Sequence, residues 1–558
     1  MSADIIDMDA VRKAAELAAP QEMAEAVRGE SIVMKQGQIP EIAANVVGVL
    51  ASKATEHRLF QYGAGLVRPY VSRREGPPDA DGKREVGHTL ALAPITRTVL
   101  QSVIDQYIEL RIERRAKNGM FYTQRTDCPE KLAKLILEAP DLRETHNWPR
   151  IERISAVPLF DGTHLVDEPG LHGATWLDCP RGITLPPLTK AAAEAALQRL
   201  VSKWLSGFPF ASPKDATAGI AGLMLAALRP SLGTAPTVLI DKPSYGAGAS
   251  TLAKIYGAVL TGLVPPVMAA GDDPAELEKI VTAVLLEGLP FIGLDNLPEG
   301  QPLRSSKLAQ ASSEDKMRPR EFGRTTSHEV DTGRLIVCNG VNVLPADDMS
   351  RRTIVCRLNP KMERPEQREF ARPNIVRDVL AERVEILQDC FTITAAYIAS
   401  KKKTQVMPLA GYDQFTNWIV RPLVWLGRDD LNAGVRESAA VDPTNQLLAE
   451  LLPVMERIEK WPGYRGRDGL TLGEMRDRSA TTDAERSKRT ADVKSLESIL
   501  VEAVGAREYN GLVQLNSRAA GKFLARVANR VSGGRYLVQN GKSDGAVRWK
   551  IERVPEGV

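Results

Sequence analysis

The stretch Thr237–Lys254, with the sequence TVLIDKPSYGAGASTLAK, constrains the fold more than any other part of the chain. It begins with an apolar, β-branched run, continues through small residues, and ends in a segment with helical apolar spacing. The pattern predicts a strand, a glycine-rich loop and a helix. Backbone N–H groups of such a loop converge on one anion, and the following helix N-terminus adds partial positive charge. The stretch therefore predicts a phosphate-binding loop; the alternative is a Gly/Ala turn before an ordinary helix.

The loop departs from the general phosphate-loop pattern, G-x-x-x-x-G-K-[ST]. In that pattern the lysine contacts the terminal phosphates, and the hydroxyl holds Mg²⁺. Alignment on Gly248 puts Ala249 at the lysine position and Ser250 at the hydroxyl position. The predicted nucleotide-binding residues are Gly246, Gly248, Ala249, Ser250 and Thr251.

A carboxylate follows the next apolar strand of the pattern. Leu289–Leu294 is predicted to be a short buried strand that ends in Asp295, and Asp273 is predicted to cap the helix before it. A carboxylate at such a strand end can orient the ligands of a Mg²⁺·nucleotide complex. Asp295 is therefore predicted to hold the metal together with Ser250; an aspartate that only starts a turn is the alternative.

Two further candidates lie downstream. A third apolar strand, RLIVCNGVNV, is predicted to end at Asn339, whose polar side chain could hold the attacking water near the γ-phosphate. Arg351 and Arg352 follow in DDMSRRTIVCRL and could reach a neighbouring subunit's phosphates. The alternative for these arginines is a surface ion pair with Asp347 or Asp348.

The order PSYGAGAST, FIGLDN, VCNGVN, SRR resembles the superfamily III and AAA+ type helicases of phages, plasmids and mobile elements. The preceding pieces LFQYGAGLVRPYV and VPLFDG are similar to the N-terminal part of phage primase-helicase-like proteins. The resemblance implies that Ser250 and Thr251 bind Mg²⁺ and phosphate and that Asp295 is the Walker B residue. It also implies that Asn339 is sensor 1 and that Arg351 is a finger acting in trans. ATP, Mg²⁺, single-stranded or forked DNA, and a homo-hexameric ring are the implied cofactors and partners.

Two departures from the resembled pattern bear on activity. Ala249 removes a cation from the β- and γ-phosphates, which predicts impaired hydrolysis, either by an engineered lysine-to-alanine change or by natural loss. Asn296 stands where many relatives have a second acidic residue, and Glu276 or Glu287 are the alternatives for a catalytic base. The leading hypothesis is an ATP-dependent ring helicase that moves on single-stranded DNA. The rival hypothesis is a non-catalytic AAA+ scaffold or initiator that binds DNA.

Local basic clusters indicate where DNA would bind, because the net charge of only +3 does not indicate a nucleic-acid partner. In the resembled class, a pre-sensor hairpin lies between the Asp295 and Asn339 motifs, and basic residues there would grip a DNA backbone. A C-terminal helix followed by two strands joined by NGKSDG is typical of a winged helix, which contacts DNA or docks another protein. The predicted DNA-binding residues are Lys316, Arg318, Arg320 and Arg324 in the first cluster and Arg518, Lys522 and Arg526 in the second.

A chain of 558 residues requires several cores, and the motifs predict an α/β multidomain fold around an AAA+ type ATPase. The predicted divisions are N-terminal helices (1–60), a mixed α/β domain (61–187), the ATPase (188–360), a helical lid or collar (361–462), a linker (463–487) and a winged helix (488–558). Five scattered cysteines suggest neither zinc nor disulfides. The acidic N-terminal residues lack an apolar h-region and no run is long enough for a membrane span, so we expect neither secretion nor membrane insertion. We expect a cytoplasmic protein. No D-x-D motif in residues 58–187 supports a third possibility, primase or nuclease chemistry.

Overall fold

The computed structural model describes residues 30–78, 84–271, 274–319, 329–362, 364, 372–440, 443–464, 466–477, 479, 482–509 and 512–554. The helix predicted near the N-terminus, the cap at Asp273, and the basic residues Arg320 and Arg324 lie outside these ranges.

Residues 30–148 form an α/β unit. Most of its buried residues form one core, whereas Phe60, Tyr62, Val67 and Leu90 pack in the core of the central domain. The strands of the unit are β1 (Glu30–Met34), β2 (Phe60–Tyr62), β3 (Gly65–Pro78), β4 (Arg84–Pro94), β5 (Ile108–Arg115) and β6 (Phe121–Arg125), and its helices are α1 (Ile39–Lys53), α2 (Arg97–Tyr107), α3 (Glu130–Glu138) and α4 (Pro140–Thr145). β1 pairs parallel with β5, β6 pairs antiparallel with β5, and β2, β3 and β4 form a second sheet. Leu50 of α1 is buried with Leu100 and Ile108. The predicted boundary at residue 60 therefore falls inside this core.

Five short strands connect this unit to the central domain. They are β7 (Arg153–Ser155), β8 (Leu159–Phe160), β9 (Leu165–Val166), β10 (Gly170–His172) and β11 (Thr175–Leu177). The ring of Phe160 lies 5.6 Å from that of Phe391 and 5.3 Å from that of Trp418, measured between centroids. This segment thus packs on the central domain.

The central domain contains the predicted strand, loop and helix. Its helices are α5 (Lys190–Arg199), α6 (Pro213–Leu228), α7 (Ala249–Thr261), α8 (Pro274–Leu286) and α9 (Ser306–Ser313), and its strands are β12 (Thr237–Lys242), β13 (Met268–Ala269), β14 (Phe291–Leu297), β15 (Lys316–Met317), β16 (Val330–Asp331), β17 (Leu335–Val341) and β18 (Thr353–Arg357). Thr189 and Ser212 are the N-caps of α5 and α6, because their side chains accept hydrogen bonds from the N–H groups of Ala192 and Asp215. A π-helical turn, Leu200–Leu205, continues α5.

Five parallel strands of this domain form one sheet in the order β13, β14, β17, β12, β18. Val238 and Ile240 pack with α6 and α7 on one face, and Leu239 lies in the core of the other face. Burial on both faces explains why these strands are continuous apolar runs. Because the strands are parallel, the carboxyl ends of β12, β14 and β17 meet at one edge of the sheet.

Helices after the sheet cover α6 and α7. They are α10 (Ile375–Ala381), α11 (Arg383–Ala399), α12 (Asp413–Phe415), α13 (Arg421–Trp425) and α14 (Leu431–Ala440), with a π-helical turn at Thr416–Val420. The guanidinium of Arg383 donates to the carbonyl oxygens of Val259 and Leu260 at the end of α7, at 2.8 and 3.2 Å, and to that of Ala156 at 2.5 Å. Burial lowers the pKa of Arg383 to about 10.

The C-terminal unit has its own core. It contains α15 (Pro443–Glu459), β19 (Leu470–Thr471), α16 (Leu472–Met475), α17 (Asp483–Val504), β20 (Ala506–Tyr509), β21 (Leu512–Leu515), α18 (Ser517–Val527), β22 (Arg535–Ser543) and β23 (Ala546–Arg553). The predicted linker, 463–487, contains β19, which pairs with β23, and it contributes Leu470 and Met475 to the core. The unit therefore begins near α15 rather than at residue 488. The predicted final hairpin is observed, with its turn at Asp544–Gly545.

No helix in the described part of the chain is long and apolar enough to cross a membrane. The five cysteines are free, and burial raises the pKa of each thiol.

Candidate nucleotide-binding site

The glycine-rich loop lies between the end of β12 and the start of α7. Gly246 and Gly248 have φ angles of 82° and 96°, in the left-handed region that glycine adopts without a Cβ clash. A Cβ added at Gly248 would also lie 3.4 Å from the ring of Phe208. α7 starts at Ala249, directly after this turn. The loop and the helix N-terminus therefore have the backbone geometry of an anion-binding turn.

Ser250 and Asp295 meet at the carboxyl edge of the sheet. The Oγ of Ser250 donates a hydrogen bond of 3.1 Å to Oδ1 of Asp295, and the same oxygen accepts one of 2.9 Å from the N–H of Asn296. A register shift in β14 between Leu294 and Leu297, with a φ of 53° at Asn296, accompanies this turn of the chain. Hydroxyl and carboxylate oxygens are ligands that suit Mg²⁺.

The residues present fit a magnesium ion of the kind that a nucleotide carries. Among the described residues, no group of three or more His, Cys, Asp or Glu side chains could hold a metal by itself. Mg²⁺ commonly binds one or two protein oxygens and takes its remaining ligands from water and substrate phosphates. Ser250 and Asp295 would hold such an ion, whose charge would neutralise that of the phosphates.

Asn339 lies on the strand between the two others that carry the site. β17 separates β12 from β14, and Asn339 is paired with Ile240 across the sheet. The strand continues to Val341, two residues beyond its predicted end. The side chain is fully buried, and neither its amide oxygen nor its amide nitrogen has a hydrogen-bond partner. Buried polar groups are nearly always paired. The described chain supplies no partner for this amide, so the amide is available to a bound molecule.

Lys242 is a site residue that the sequence reasoning missed. It is the last residue of β12, it is only 5% exposed, and its Nζ lies 5.4 Å from the ring centroid of Tyr245. Within the described chain, Nζ has no hydrogen bond or ion pair. Burial lowers the pKa of Lys242, and the nearby carboxylate of Asp295 opposes part of that shift.

A sequence signal for Lys242 did exist. Side chains alternate along a strand, so Lys242 shares a face with Val238 and Ile240, the face that packs against α7. A lysine at the end of an otherwise apolar buried strand, directly before a glycine loop, is unusual for a structural position.

The structure does not bring Arg351 and Arg352 to the loop of the same chain. They precede β18, whose first residue is paired with Thr237, at the opposite edge of the sheet. Six residues of strand separate the two edges by roughly 20 Å. Both arginines pair with Asp348, at 2.5 and 3.0 Å, as the alternative interpretation expected. Arg352 also donates to the Ala309 carbonyl and to Ser313, whereas the side chain of Arg351 is 67% exposed.

The two alternatives for a catalytic base differ in position. Glu276 lies in the first turn of α8 and pairs with Lys279 at 2.5 Å. Glu287 follows the end of α8 and precedes the start of β14, so it lies at the amino edge of the sheet. Only Glu276 is near the edge that carries Ser250 and Asp295.

The predicted DNA-binding residues fall in two places. Lys316, at the base of the β15–β16 hairpin, pairs with Glu152 at 2.5 Å and Glu329 at 3.6 Å, and Arg318 pairs with Glu329 at 3.6 Å. Both are therefore partly neutralised. Arg518, Lys522 and Arg526 lie exposed along one face of α18.

No protein-family model matches the sequence, and no curated protein matches it significantly. Among solved structures, the chain is similar to an apo structure of the NrS-1 C-terminal region, with 10% identity and a TM-score of 0.34, over 91% of this chain and 98% of that one. It is also similar to SCCmec type IV Cch, described as an active helicase, with 12% identity and a TM-score of 0.27, over 89% and 97%. At these scores the likeness alone assigns no function.

Proposed function

We propose that this protein is an ATP-dependent, ring-forming helicase that moves along single-stranded DNA. The observation that carries the proposal is the hydrogen bond between Ser250 and Asp295, which joins the start of the loop helix to the end of a second strand. In nucleotide-binding loops the corresponding hydroxyl and carboxylate serve the same Mg²⁺. Two residues 45 positions apart meet in the arrangement that a magnesium nucleotide requires.

The strand order supports the AAA+ interpretation. β17, with its unpaired amide at Asn339, lies between the loop strand and the Asp295 strand. With a nucleotide in the loop, an amide on this strand would lie near the γ-phosphate, where a preorganised donor or acceptor stabilises the transition state. We assign Asn339 to that role.

Lys242 provides a cation where Ala249 does not. Lys242 is the last residue of β12, it is only 5% exposed, and its ammonium has no carboxylate partner at ion-pair distance in the described structure. A phosphate would neutralise this charge at close range. On this basis Ala249 is compatible with an active enzyme, and no engineered change is needed to explain it.

Arg351 supports assembly into a ring. Its exposed guanidinium lies at the sheet edge opposite the loop, so it can contact the phosphates of a neighbouring subunit only. The basic face of α18 and the β15–β16 hairpin are the proposed DNA contacts.

The rival function, a DNA-binding scaffold without hydrolysis, is favoured by one observation. Asn296 occupies the position after Asp295, and Glu276, the remaining acidic candidate, is already paired with Lys279. A scaffold would bind nucleotide without DNA-stimulated turnover.

The test measures ATP binding and DNA-stimulated turnover for the unchanged chain and for three variants: Ala249→Lys, Lys242→Met and the double variant. We expect the unchanged chain to bind ATP, Lys242→Met to bind it weakly, and Ala249→Lys to restore binding in the double variant. Lys254→Met is the matched control, because Lys254 is an exposed lysine on α7, the helix that follows the loop. Absence of ATP binding in every form would refute the nucleotide site. Binding without turnover in every form would favour the scaffold.

A further inference from the structure

The hairpin of β5 and β6 is an exposed surface that no part of the nucleotide site uses. Ile108 and Leu110 anchor its base in the core of the N-terminal unit. Beyond them, every residue of β6 is exposed, and β6 is the edge strand of its sheet. The hairpin is thus rigidly rooted at one end and open to solvent at the other.

Three large apolar side chains lie side by side at the open end. Met120 is 65% exposed, Phe121 is 66% exposed and Tyr122 is 49% exposed. Successive side chains on a strand point to opposite faces, so each face of the hairpin carries an aromatic ring. Large exposed apolar groups gathered at one tip are typical of a binding surface.

The same segment is strongly basic. Residues 111–125 contain five lysines and arginines and one glutamate, which gives them more net positive charge than the +3 of the whole chain. The pairing register puts Arg111 opposite Arg125, a like-charge pair that destabilises a hairpin. Arg111 has a carboxylate partner in Glu109, at 2.5 Å. Over the described chain, Arg114, Lys117 and Arg125 have no ion pair.

Rings and guanidinium groups also share one face. Arg115 is paired with Phe121 across the hairpin, and its guanidinium carbon lies 5.9 Å from the centre of that ring. A planar cation beside an exposed ring offers a stacking surface with an adjacent site for a negative charge. This combination recurs where proteins hold unpaired bases by stacking and their phosphates by charge.

We propose that the tip of this hairpin binds single-stranded nucleic acid, with bases stacked on Phe121 and Tyr122 and phosphates on Arg114, Arg115 and Arg125. An unpaired strand fits because its bases can leave their own stack to cover the rings, whereas the bases of a duplex are already stacked. The site is separate from the predicted basic residues of the central and C-terminal units. Its function does not depend on ATP.

The experiment measures fluorescence anisotropy of labelled oligo(dT) and oligo(U) with the full chain in the absence of nucleotide. Phe121→Ala/Tyr122→Ala should weaken oligonucleotide binding by about tenfold or more, because the stacking of each base on an aromatic ring contributes substantially to the affinity. Arg114→Gln/Arg115→Gln should weaken binding and reduce the salt dependence by about 1 to 2 units of log–log slope. Oligo(dU), which differs from oligo(U) only in lacking the ribose 2′-hydroxyl, tells whether that hydroxyl contributes to affinity.

Matched variants control for general effects. Tyr70→Ala removes another exposed aromatic of the same unit, and Lys402→Gln/Lys403→Gln removes two exposed charges elsewhere. Both should bind like the unchanged chain. Phe121→Trp should retain binding, and its added indole fluorescence should be quenched by oligo(dT), a readout that does not depend on a destabilising truncation.

Two results would overturn the proposal. One is unchanged oligonucleotide affinity in Phe121→Ala/Tyr122→Ala when circular dichroism shows that the variant is folded. The other is a changed oligomeric state of Phe121→Ala/Tyr122→Ala, measured by light scattering, together with unchanged oligonucleotide affinity. That result would make the hairpin a protein interface.

Discussion

The two edges of the central sheet are built from the same strands, yet the charged side chains near them differ in how they are paired. At the amino edge, Asp331 accepts hydrogen bonds from Arg153 at 2.5 Å and Arg334 at 3.0 Å. Arg229, fully enclosed there, donates to three backbone carbonyls at 2.9 Å. At the carboxyl edge, both atoms of the Asn339 amide are buried without a hydrogen-bond partner. The side chain of Lys242, a residue only 5% exposed, has no hydrogen bond or ion pair in the described structure.

On the proposed function, the difference separates polar groups that hold the fold together from polar groups that a bound nucleotide would pair. Burial of an unpaired polar group costs free energy. At the amino edge the unpaired groups are single atoms, such as Thr237 Oγ1 and Arg334 Nε, whereas at the carboxyl edge both atoms of the Asn339 amide are unpaired. A magnesium nucleotide would satisfy the charge at Lys242 and the hydrogen-bonding groups of Asn339. Substitutions at the amino edge should therefore affect folding, and those at the carboxyl edge should affect ligand binding and turnover.

The largest effect is expected from Asp331→Ala. The change leaves two guanidinium groups, those of Arg153 and Arg334, without the carboxylate that they share. Breaking such a buried pair costs about 3–5 kcal/mol. The urea midpoint should fall sharply, and Asp348→Ala at the exposed side of the same edge should change it much less. Equal urea midpoints for Asp331→Ala and Asp348→Ala would contradict the expectation that the buried ion pairs stabilise the fold more than the exposed ones.

Lys242→Met should reduce ATP affinity about 10- to 100-fold, the effect of losing a charge-assisted contact to phosphate. The urea midpoint without nucleotide should be unchanged or higher, because a buried, unpaired charge has been replaced by an apolar chain of similar length. Titration with a fluorescent ATP analogue measures the first effect. A lowered midpoint with unchanged ATP affinity would assign Lys242 to the fold instead.

Asn339 and Asn432 are two fully buried asparagines that differ in pairing: the amide oxygen of each is unpaired, but only the amide nitrogen of Asn432 has partners. Asn432 donates to the Met407 carbonyl and to Thr416 Oγ1, at 3.1 and 2.9 Å, so Asn432→Ala should destabilise the fold by about 1–3 kcal/mol. Asn339→Ala should leave stability nearly unchanged and lower kcat about 100-fold. Thermal unfolding and steady-state turnover of both variants test this pair. Similar destabilisation by the two changes would contradict the assignment of Asn339.

The stability difference between Lys242→Met and the unchanged chain should depend on pH. Burial lowers the pKa of Lys242 below its usual 10.5, so the unfolded chain holds that proton more tightly than the folded one. At lower pH the ammonium penalises folding, and the penalty fades as pH rises from the folded pKa towards 10.5. The advantage of the methionine variant in urea unfolding should therefore shrink at high pH. A constant difference would mean that Lys242 is not desolvated.

The smallest effect on the fold is expected from Arg351→Ala. Its exposed pair with Asp348 contributes less than about 1 kcal/mol. Nucleotide affinity of the isolated chain should be unchanged, whereas turnover should fall once subunits assemble. Mixing Arg351→Ala with Lys242→Met subunits should restore part of the turnover, because each variant supplies what the other lacks. No complementation would argue against a role in trans.

The sequence predicted the elements of the central domain well, because their signals are local. Thr189 and Ser212 cap their helices through their own side chains, and the continuous apolar run of β12 requires burial on both faces. The position of Lys242 was not predicted, since its significance depends on where a strand face points relative to α7. The C-terminal boundary was misjudged because β19 is only two residues long and is stabilised by a distant partner, β23.

The contacts of Arg383 have a mechanical consequence. The guanidinium fixes the last carbonyl groups of α7 to the start of α11 and, through Ala156, to the segment that leads from the N-terminal unit. A rod that is clamped at one end responds to a load at the other end by pivoting. If the first turn of α7 were displaced, the helix would rotate about its C-terminal end, where Arg383 holds it.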